Sequence, residues 1–401
     1  MLKSKIPSAI RLRDGFVGVL FFFISLILIK LLNFTRPLSA ALFSLVLTAL
    51  PMILMSFVSS KVHLLPDYQF QFLNPHKIDY PIVLKKSFAL FCLWAFYIAL
   101  YLLIPEYQKE MYLPFGRLMY RMIPLMVLGV IPYFALCERY KKSVDLQDPY
   151  LHLAHVIILK EKPRWSILSQ LFLGWTVKAF FFPLMFTSLE AKMSTFLVNG
   201  ISFSLEPRFF YEFCYQLFFA IDVVFVTIGY ALTFKIFHSH IRSTEKTFIG
   251  WAIALICYIP FWPILDRFYF HYYMEGPPWW FWLKDSFFQI PWLIMIVLCL
   301  GTYTFATISF GIRFSNLTNR GIITHGPYSW MKHPAYVSKC LAWLLISVPF
   351  ITHHQAANPW IRVTALIVLW GIYFVRAKTE ERHLKSDPHY LAYIEGFKKS
   401  A

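Results

Sequence analysis

The chain has 401 residues, of which 58% are hydrophobic, 19% aromatic and only 15% charged, and its formal net charge is +17. A soluble domain carries about 25% charged residues, whereas here apolar runs of about 20 residues recur along nearly the whole length, as a hydrocarbon core roughly 30 Å thick requires of a helix. The pattern predicts an all-α polytopic integral membrane protein; it excludes a barrel of short alternating strands, and the absence of a basic run interleaved with stacking aromatics in a soluble segment excludes nucleic acid as a partner.

In chain order, the run from Gly15 to Phe34 exceeds the roughly 7–15 residues of a signal-peptide core and lacks a small-residue cleavage pattern. It is the first of about ten predicted spans, roughly 15–34, 37–59, 86–104, 117–137, 166–187, 210–236, 247–265, 288–310, 338–352 and 359–377. The ninth is short and forms a tight hairpin with the tenth across Thr352 to Asn358. Lys and Arg number 27 in one alternating set of connections and 8 in the other, with Arg117, Arg121 and Lys178 left at a helix start or within a span. That asymmetry predicts both termini in the cytoplasm. The expected membrane is a bacterial inner membrane ahead of the endoplasmic reticulum.

Several polar features lie along these spans. Asp145 to Trp165 alternates apolar and basic residues and predicts an amphipathic helix on the membrane surface or a plain loop. Lys178 and Asp222 fall near mid-membrane on neighbouring spans and predict an intramembrane ion pair, functional or a packing clamp. His152-x-x-His155, His238-x-His240 and His353-His354 lack the Cys or Glu set of a metal centre and are expected to be interface histidines, with no metal bound. The six cysteines contain no CxxC and are expected to be small buried hydrophobes. The aromatic-rich connection Phe268 to Trp282 predicts an interfacial belt, or more sharply a lid over a lipid portal.

The densest polar constellation comes last. It runs Gly326-Pro327-Tyr328-Ser329-Trp330-Met331-Lys332-His333-Pro334-Ala335-Tyr336, then through the apolar hairpin to Arg376-Ala377-Lys378-Thr379-Glu380-Glu381-Arg382-His383-Leu384, with Tyr390 and Tyr393 beyond. Proline favours the first turn of a helix, so Pro334 is expected to open the ninth helix with Lys332 and His333 just outside its N-terminus, a natural anion site. On the tenth helix Arg376 and Glu380 are four apart, as are Thr379 and His383, so each pair shares a face. Glu380 and Glu381 point about 100° apart. A ligand with an anionic end, a diol and a cationic centre suits this set: the helix N-terminus and Lys332 for the carboxylate, a glutamate for the ribose hydroxyls, aromatic or carbonyl groups for the cation.

With these residues in view, GPYSWMKHPAY followed by R-x-x-T-E-E and Y-L-A-Y resembles the C-terminal signature of the isoprenylcysteine carboxyl methyltransferase family, whose relatives include phospholipid methyltransferases. The similarity extends over about Ile308 to Lys399 and includes the lead-in Gly311-Ile312-Arg313-Phe314-Ser315 and Gly321-Ile322-Ile323-Thr324. It implies an S-adenosylmethionine site at the cytoplasmic mouth and methyl transfer to a lipid or lipidated acceptor. By the same resemblance Gly326, Pro327, Tyr328, Lys332, His333, Pro334, Tyr336 and Glu380 or Glu381 hold the cofactor, and Arg376 sits near the acceptor or braces a glutamate. Arg376, Glu380 and His333 are the expected catalytic residues. Lys332 stands where the family usually has Arg, Ser338 replaces a common glycine, and Asp387-Pro388 replaces a Phe-Gly step.

The expected organisation is an N-terminal transmembrane region, 1–285, shaping an acceptor pocket, and a C-terminal catalytic unit, 286–401. A sterol-type reductase using NADPH is the second reading, ranked lower because its pattern lacks the GPY turn and the proline after the histidine. A non-enzymatic lipid transporter or scaffold is the third. No GxGxxG or Walker A sequence occurs, so a Rossmann-type methyltransferase and a nucleotide-driven pump are not indicated. Oligomeric state is not legible.

Overall fold

The computed structural model describes residues 8–73, 75–143, 147–200, 203–268, 278–351 and 359–398. Its helices are α1 (Leu12–Leu31), α2 (Pro37–Val58), α3 (Tyr80–Leu103), α4 (Leu113–Tyr140), α5 (Pro149–Ile157), α6 (Trp165–Asn199), α7 (Pro207–Ala231), α8 (Phe248–Leu255), α9 (Trp262–Phe268), α10 (Trp279–Trp282), α11 (Gln289–Phe310), α12 (Pro334–Ile351), α13 (Pro359–Leu384) and α14 (Pro388–Lys398). Starts follow local chemistry. Proline occupies the first turn of α2, α3, α4, α5 and α7, where its missing N–H costs no hydrogen bond. Asp79 caps α3 by accepting from Ile82 N at 3.1 Å, and Asp148 caps α5 by accepting from the Tyr150 and Leu151 amides.

Eight helical segments among the described residues are long and apolar enough to cross a membrane: Leu12–Leu31, Pro37–Leu64, Tyr80–Leu103, Glu110–Tyr140, Trp165–Asn199, Pro207–Ala231, Gln289–Arg313 and Trp360–Leu384. The expected span 247–265 is not one helix. It divides into α8 and α9, because Pro260 lies between them and has no N–H to continue a helical ladder. The described part of α12 supplies a shorter apolar stretch, Pro334–Ser347. The hairpin turn at Thr352 to Asn358, with His353 and His354, lies outside the described residues, as do 269–277 of the aromatic connection. Trp279 from that connection is fully buried and packs edge-on to Tyr211, so it belongs to the core and not to an interfacial belt.

α1 pairs with α2 and reaches α11, while α11 packs between α7 and α12. The approach of α1 to α11 is close: a Cβ on Gly15 would run into the main-chain oxygen of Ile308. Small residues of this kind let membrane helices gain packing contacts that apolar burial alone does not provide in lipid. The Lys178–Asp222 pair does not form. Asp222 instead accepts from Tyr303 Oη at 2.8 Å and Thr307 Oγ1 at 2.5 Å on α11, and the Lys178 ammonium lies 3.3 Å from the centroid of Trp175. Of the cysteines only Cys214 is buried; the other five are half-buried.

The helix ends beside the C-terminal constellation are tied by polar contacts. A two-stranded antiparallel pair joins β1 (Ser243–Thr244) to β2 (Thr318–Asn319). Next to it the buried Arg320 donates to five main-chain oxygens, those of Ser239, Gly229, Phe314, Leu232 and Ile312, at 2.6–3.0 Å. Four of these oxygens lie at or just past the C-terminal ends of α7 and α11, where carbonyls have no intrahelical partner and the helix dipole favours a cation; the Ser239 oxygen lies in the loop after α7. The segment expected as a surface amphipathic helix is α5. It is packed into the bundle, with His152, Leu153 and Ala154 buried, and its Glu161 accepts from His152 and His155 at 2.8 and 2.7 Å.

Lys86 on α3 sits between Glu138 Oε1 at 2.6 Å and Asp148 Oδ2 at 2.7 Å, all three side chains buried. Lys86→Met leaves the buried Asp148 without a cation and Glu138 with Lys141 alone, and is expected to cost about 3–5 kcal/mol, measurable as a lowered midpoint in detergent unfolding. The same face carries an acid-sensitive group. Burial pushes the imidazoles of His238, His240 and His325 below the ordinary histidine value. The unfolded chain therefore binds more protons than the folded one below about pH 6.5. Their contribution is complete above that pH and is lost as pH falls through it, so the melting temperature should drop between about pH 7 and pH 5. His240→Gln should flatten that drop.

Candidate functional site

Gly326 opens the site. Its φ of +60° places it in the left-handed region, and a Cβ there would stand 2.5 Å from Ser309 Oγ on α11. Only glycine meets both conditions without cost. The short 3-10 turn Gly326–Ser329 follows and carries Pro327 buried. The Tyr328 ring packs edge-on to Phe310 at 5.2 Å, and burial pushes its phenol well above the ordinary value, so it stays protonated. α14 fixes the turn from the other side, because Tyr393 Oη donates to the Tyr328 oxygen at 2.6 Å. The N-terminal segment fixes it from below, with His325 Nε2 donating to the Ile10 oxygen at 2.9 Å.

Pro334 begins α12, as its chemistry requires, and leaves His333 and Lys332 at the mouth of that helix. The hairpin returns α13 to the same end. His333 Nε2 lies 3.2 Å from Glu381 Oε1, and Tyr336 Oη donates to Glu380 Oε2 at 2.8 Å. The His333 and Tyr336 rings are stacked, with centroids 5.6 Å apart and planes 5° from parallel. Lys332 adds positive potential at Glu381. The Glu380 side chain is 40% exposed against 16% for Glu381 and for His333. Its second oxygen has no hydrogen-bond partner among the described residues.

Arg376 departs from its expected partner. It makes no ion pair with Glu380 among the described residues; its guanidinium donates to Asn316 Oδ1 at 2.7 Å. It lies over the rings of Tyr336, Tyr258 and Tyr373 at 5.1, 5.6 and 6.0 Å. Asn316 is held by Tyr230 and Tyr258, each hydroxyl 3.0 Å from its amide nitrogen. Helical spacing brings Arg376 and Glu380 to one face, but a planar, aromatic-lined seat off the helix suits a guanidinium better than a half-exposed carboxylate. Thr379 and His383 do not pair either: Thr379 bonds back to the Arg376 oxygen, and His383 Nε2 lies 3.3 Å from Ser243 Oγ.

Three participants escaped the sequence. Asn316 follows the Gly311–Ser315 lead-in directly, and Tyr258 sits at the break of the seventh expected span. Lys339 lies over Tyr303 and Trp343 at 5.1 Å each and over Tyr373 at 6.0 Å. A lysine five residues into an apolar helix is the signal that could have found it.

The fold and this cluster together define a polytopic helical membrane protein with a polar site at the mouth of one helical hairpin. Residues 289–386 of the chain match the family model for the isoprenylcysteine carboxyl methyltransferase (ICMT) family. The match covers the C-terminal quarter and every residue of the cluster except Tyr230, Tyr258 and Tyr393. No curated protein and no solved structure matches the chain.

Proposed function

We propose that this protein is an integral membrane methyltransferase that uses S-adenosylmethionine to methylate a lipid or lipid-linked acceptor. The observation that carries the proposal is the meeting of His333 and Tyr336, stacked at the start of α12, with Glu381 and Glu380 at the end of α13, inside the segment that matches the methyltransferase family. The donor set suits that cofactor. Lys332 and the α12 N-terminus can take its carboxylate, the free oxygen of Glu380 can accept from the ribose hydroxyls, and the Tyr328 ring offers a face to a cation, while Tyr336 holds Glu380 in place. Gly326, Pro327 and Pro334 shape the backbone around it, and His333 holds Glu381 in place. When bound, the cofactor supplies an electrophilic methyl group on a sulfonium.

The remaining work falls to the chain. Arg376 and Lys339 form no ion pair among the described residues and share the Tyr373 ring, so the hairpin interior is electropositive and favours an acceptor with an anionic oxygen, a carboxylate or phosphate. Such an oxygen needs no base; alignment and exclusion of water supply the rate. Arg376 orients it, and the buried aromatic wall keeps water out. In this account 286–401 is the catalytic unit and 1–285 shapes the acceptor's access from the membrane. The α8–α9 pair and α12 bring the crossings to ten, with both termini and the site in the cytoplasm. Purified protein incubated with methyl-labelled cofactor and a membrane lipid extract should transfer label into the organic phase. Absence of transfer to any extracted lipid, by protein that binds the cofactor, would remove the lipid acceptor from the account.

A further inference from the structure

At the far end of α1 lies a second basic feature that the methyl-transfer account does not use. α1 starts beside the Gly326 turn, where Ile10 meets His325 and Gly15 meets the end of α11 at Ile308, and its 20 residues span about 30 Å, the thickness of a hydrocarbon core. Arg36, just past its C-terminus, is therefore on the opposite membrane face. There a cavity of about 400 Å³ is lined by Arg36, Leu38, Ser39, Arg117, Arg121 and Glu190. Its size falls within the roughly 300–1,000 Å³ of small-ligand pockets.

The arginines come from separate elements. Arg36 precedes α2, while Arg117 and Arg121 stand four apart on one face of α4. None of the three guanidiniums forms a hydrogen bond or ion pair among the described residues. The single acid in the wall, Glu190, reaches Arg117 only through space, so the cavity keeps a net positive charge. The first turn of α2, with no side chain capping it, adds unpaired amides at the same spot. Interfacial arginines usually extend singly toward the headgroup layer. Here three guanidiniums line one concavity, on the face where Lys and Arg are scarce.

We propose that Arg36, Arg117 and Arg121 form a binding site for a phosphate group on the membrane face opposite the His333–Glu381 cluster. Guanidinium forks match phosphate oxygens in geometry and charge. The phosphate can belong to an anionic lipid headgroup or to a soluble ion. The site is independent of methyl transfer, since none of these residues touches the constellation around His333.

The test is native mass spectrometry of the full chain in detergent, titrated with phosphatidic acid, with phosphatidylcholine and with inorganic phosphate. The wild type should retain phosphatidic acid in preference to phosphatidylcholine. R117Q/R121Q should weaken that retention by about tenfold or more, and Glu190→Gln should strengthen it. Displacement of the lipid by inorganic phosphate assigns the site to the soluble ion; resistance to displacement assigns it to the headgroup. Unchanged retention in R117Q/R121Q overturns the proposal. Should that double variant not fold, unchanged retention in Glu190→Gln overturns it instead.

Discussion

His333→Ala should weaken binding of S-adenosylhomocysteine by about 10- to 100-fold while leaving the protein folded. The change removes a hydrogen bond to a charged group, worth about 1.5–3 kcal/mol, together with the ring stacked on Tyr336. Glu381, only 16% exposed, then loses the partner that orients it. Glu381→Ala acts on the same contact from the other side, so the two effects should not add. A double-mutant cycle should return a coupling of about 0.5–3 kcal/mol. Additive effects in calorimetry would mean that the two residues serve the ligand separately, or not at all.

The second large effect concerns stability. Arg320→Met should prevent accumulation of monodisperse protein. All five N–H groups of this guanidinium are used, on four oxygens at or just past the ends of α7 and α11 and on that of Ser239 in the loop after α7. Without the arginine the Leu232 oxygen keeps only the Ser239 hydroxyl and the other four lose this donor, and each orphaned group costs about 1–3 kcal/mol. Even partial relaxation leaves a loss above the roughly 4–5 kcal/mol that marks an exceptional substitution. Arg320→Lys keeps the charge but offers three donors from one point in place of a planar fork, and should rescue poorly. Size-exclusion profiles and melting temperatures in detergent report the outcome, and a melting temperature within a few degrees of wild type for Arg320→Met would contradict it.

Much of the fold was legible because membrane insertion reads length and apolarity, both of which the sequence carries directly. Eight of the expected spans correspond to long helices, and the start of α12 at Pro334 follows from proline's missing N–H. The meeting of His333 with Glu381 was legible for a different reason: a short hairpin returns the end of α13 to the start of α12. What escaped is azimuth. The sequence places Lys178 and Asp222 at similar depth, but depth does not say which way a helix is turned, and Asp222 faces Tyr303 and Thr307 on α11. Arg376 illustrates the same limit, since local spacing favoured Glu380 while the partner came from the loop at Asn316. Hydropathy also ran straight through Pro260, which divides α8 from α9. Arg320 gave no signal at all, because its partners are main-chain oxygens and any sequence supplies those.

The polar cluster at the mouth of the α12–α13 hairpin is proposed to hold S-adenosylmethionine. Calorimetric titration of the purified full chain with S-adenosylhomocysteine, and separately with NADPH, tests it most directly. S-adenosylhomocysteine should bind saturably, less tightly in His333→Ala, and NADPH should not bind. Binding of NADPH alone would contradict it.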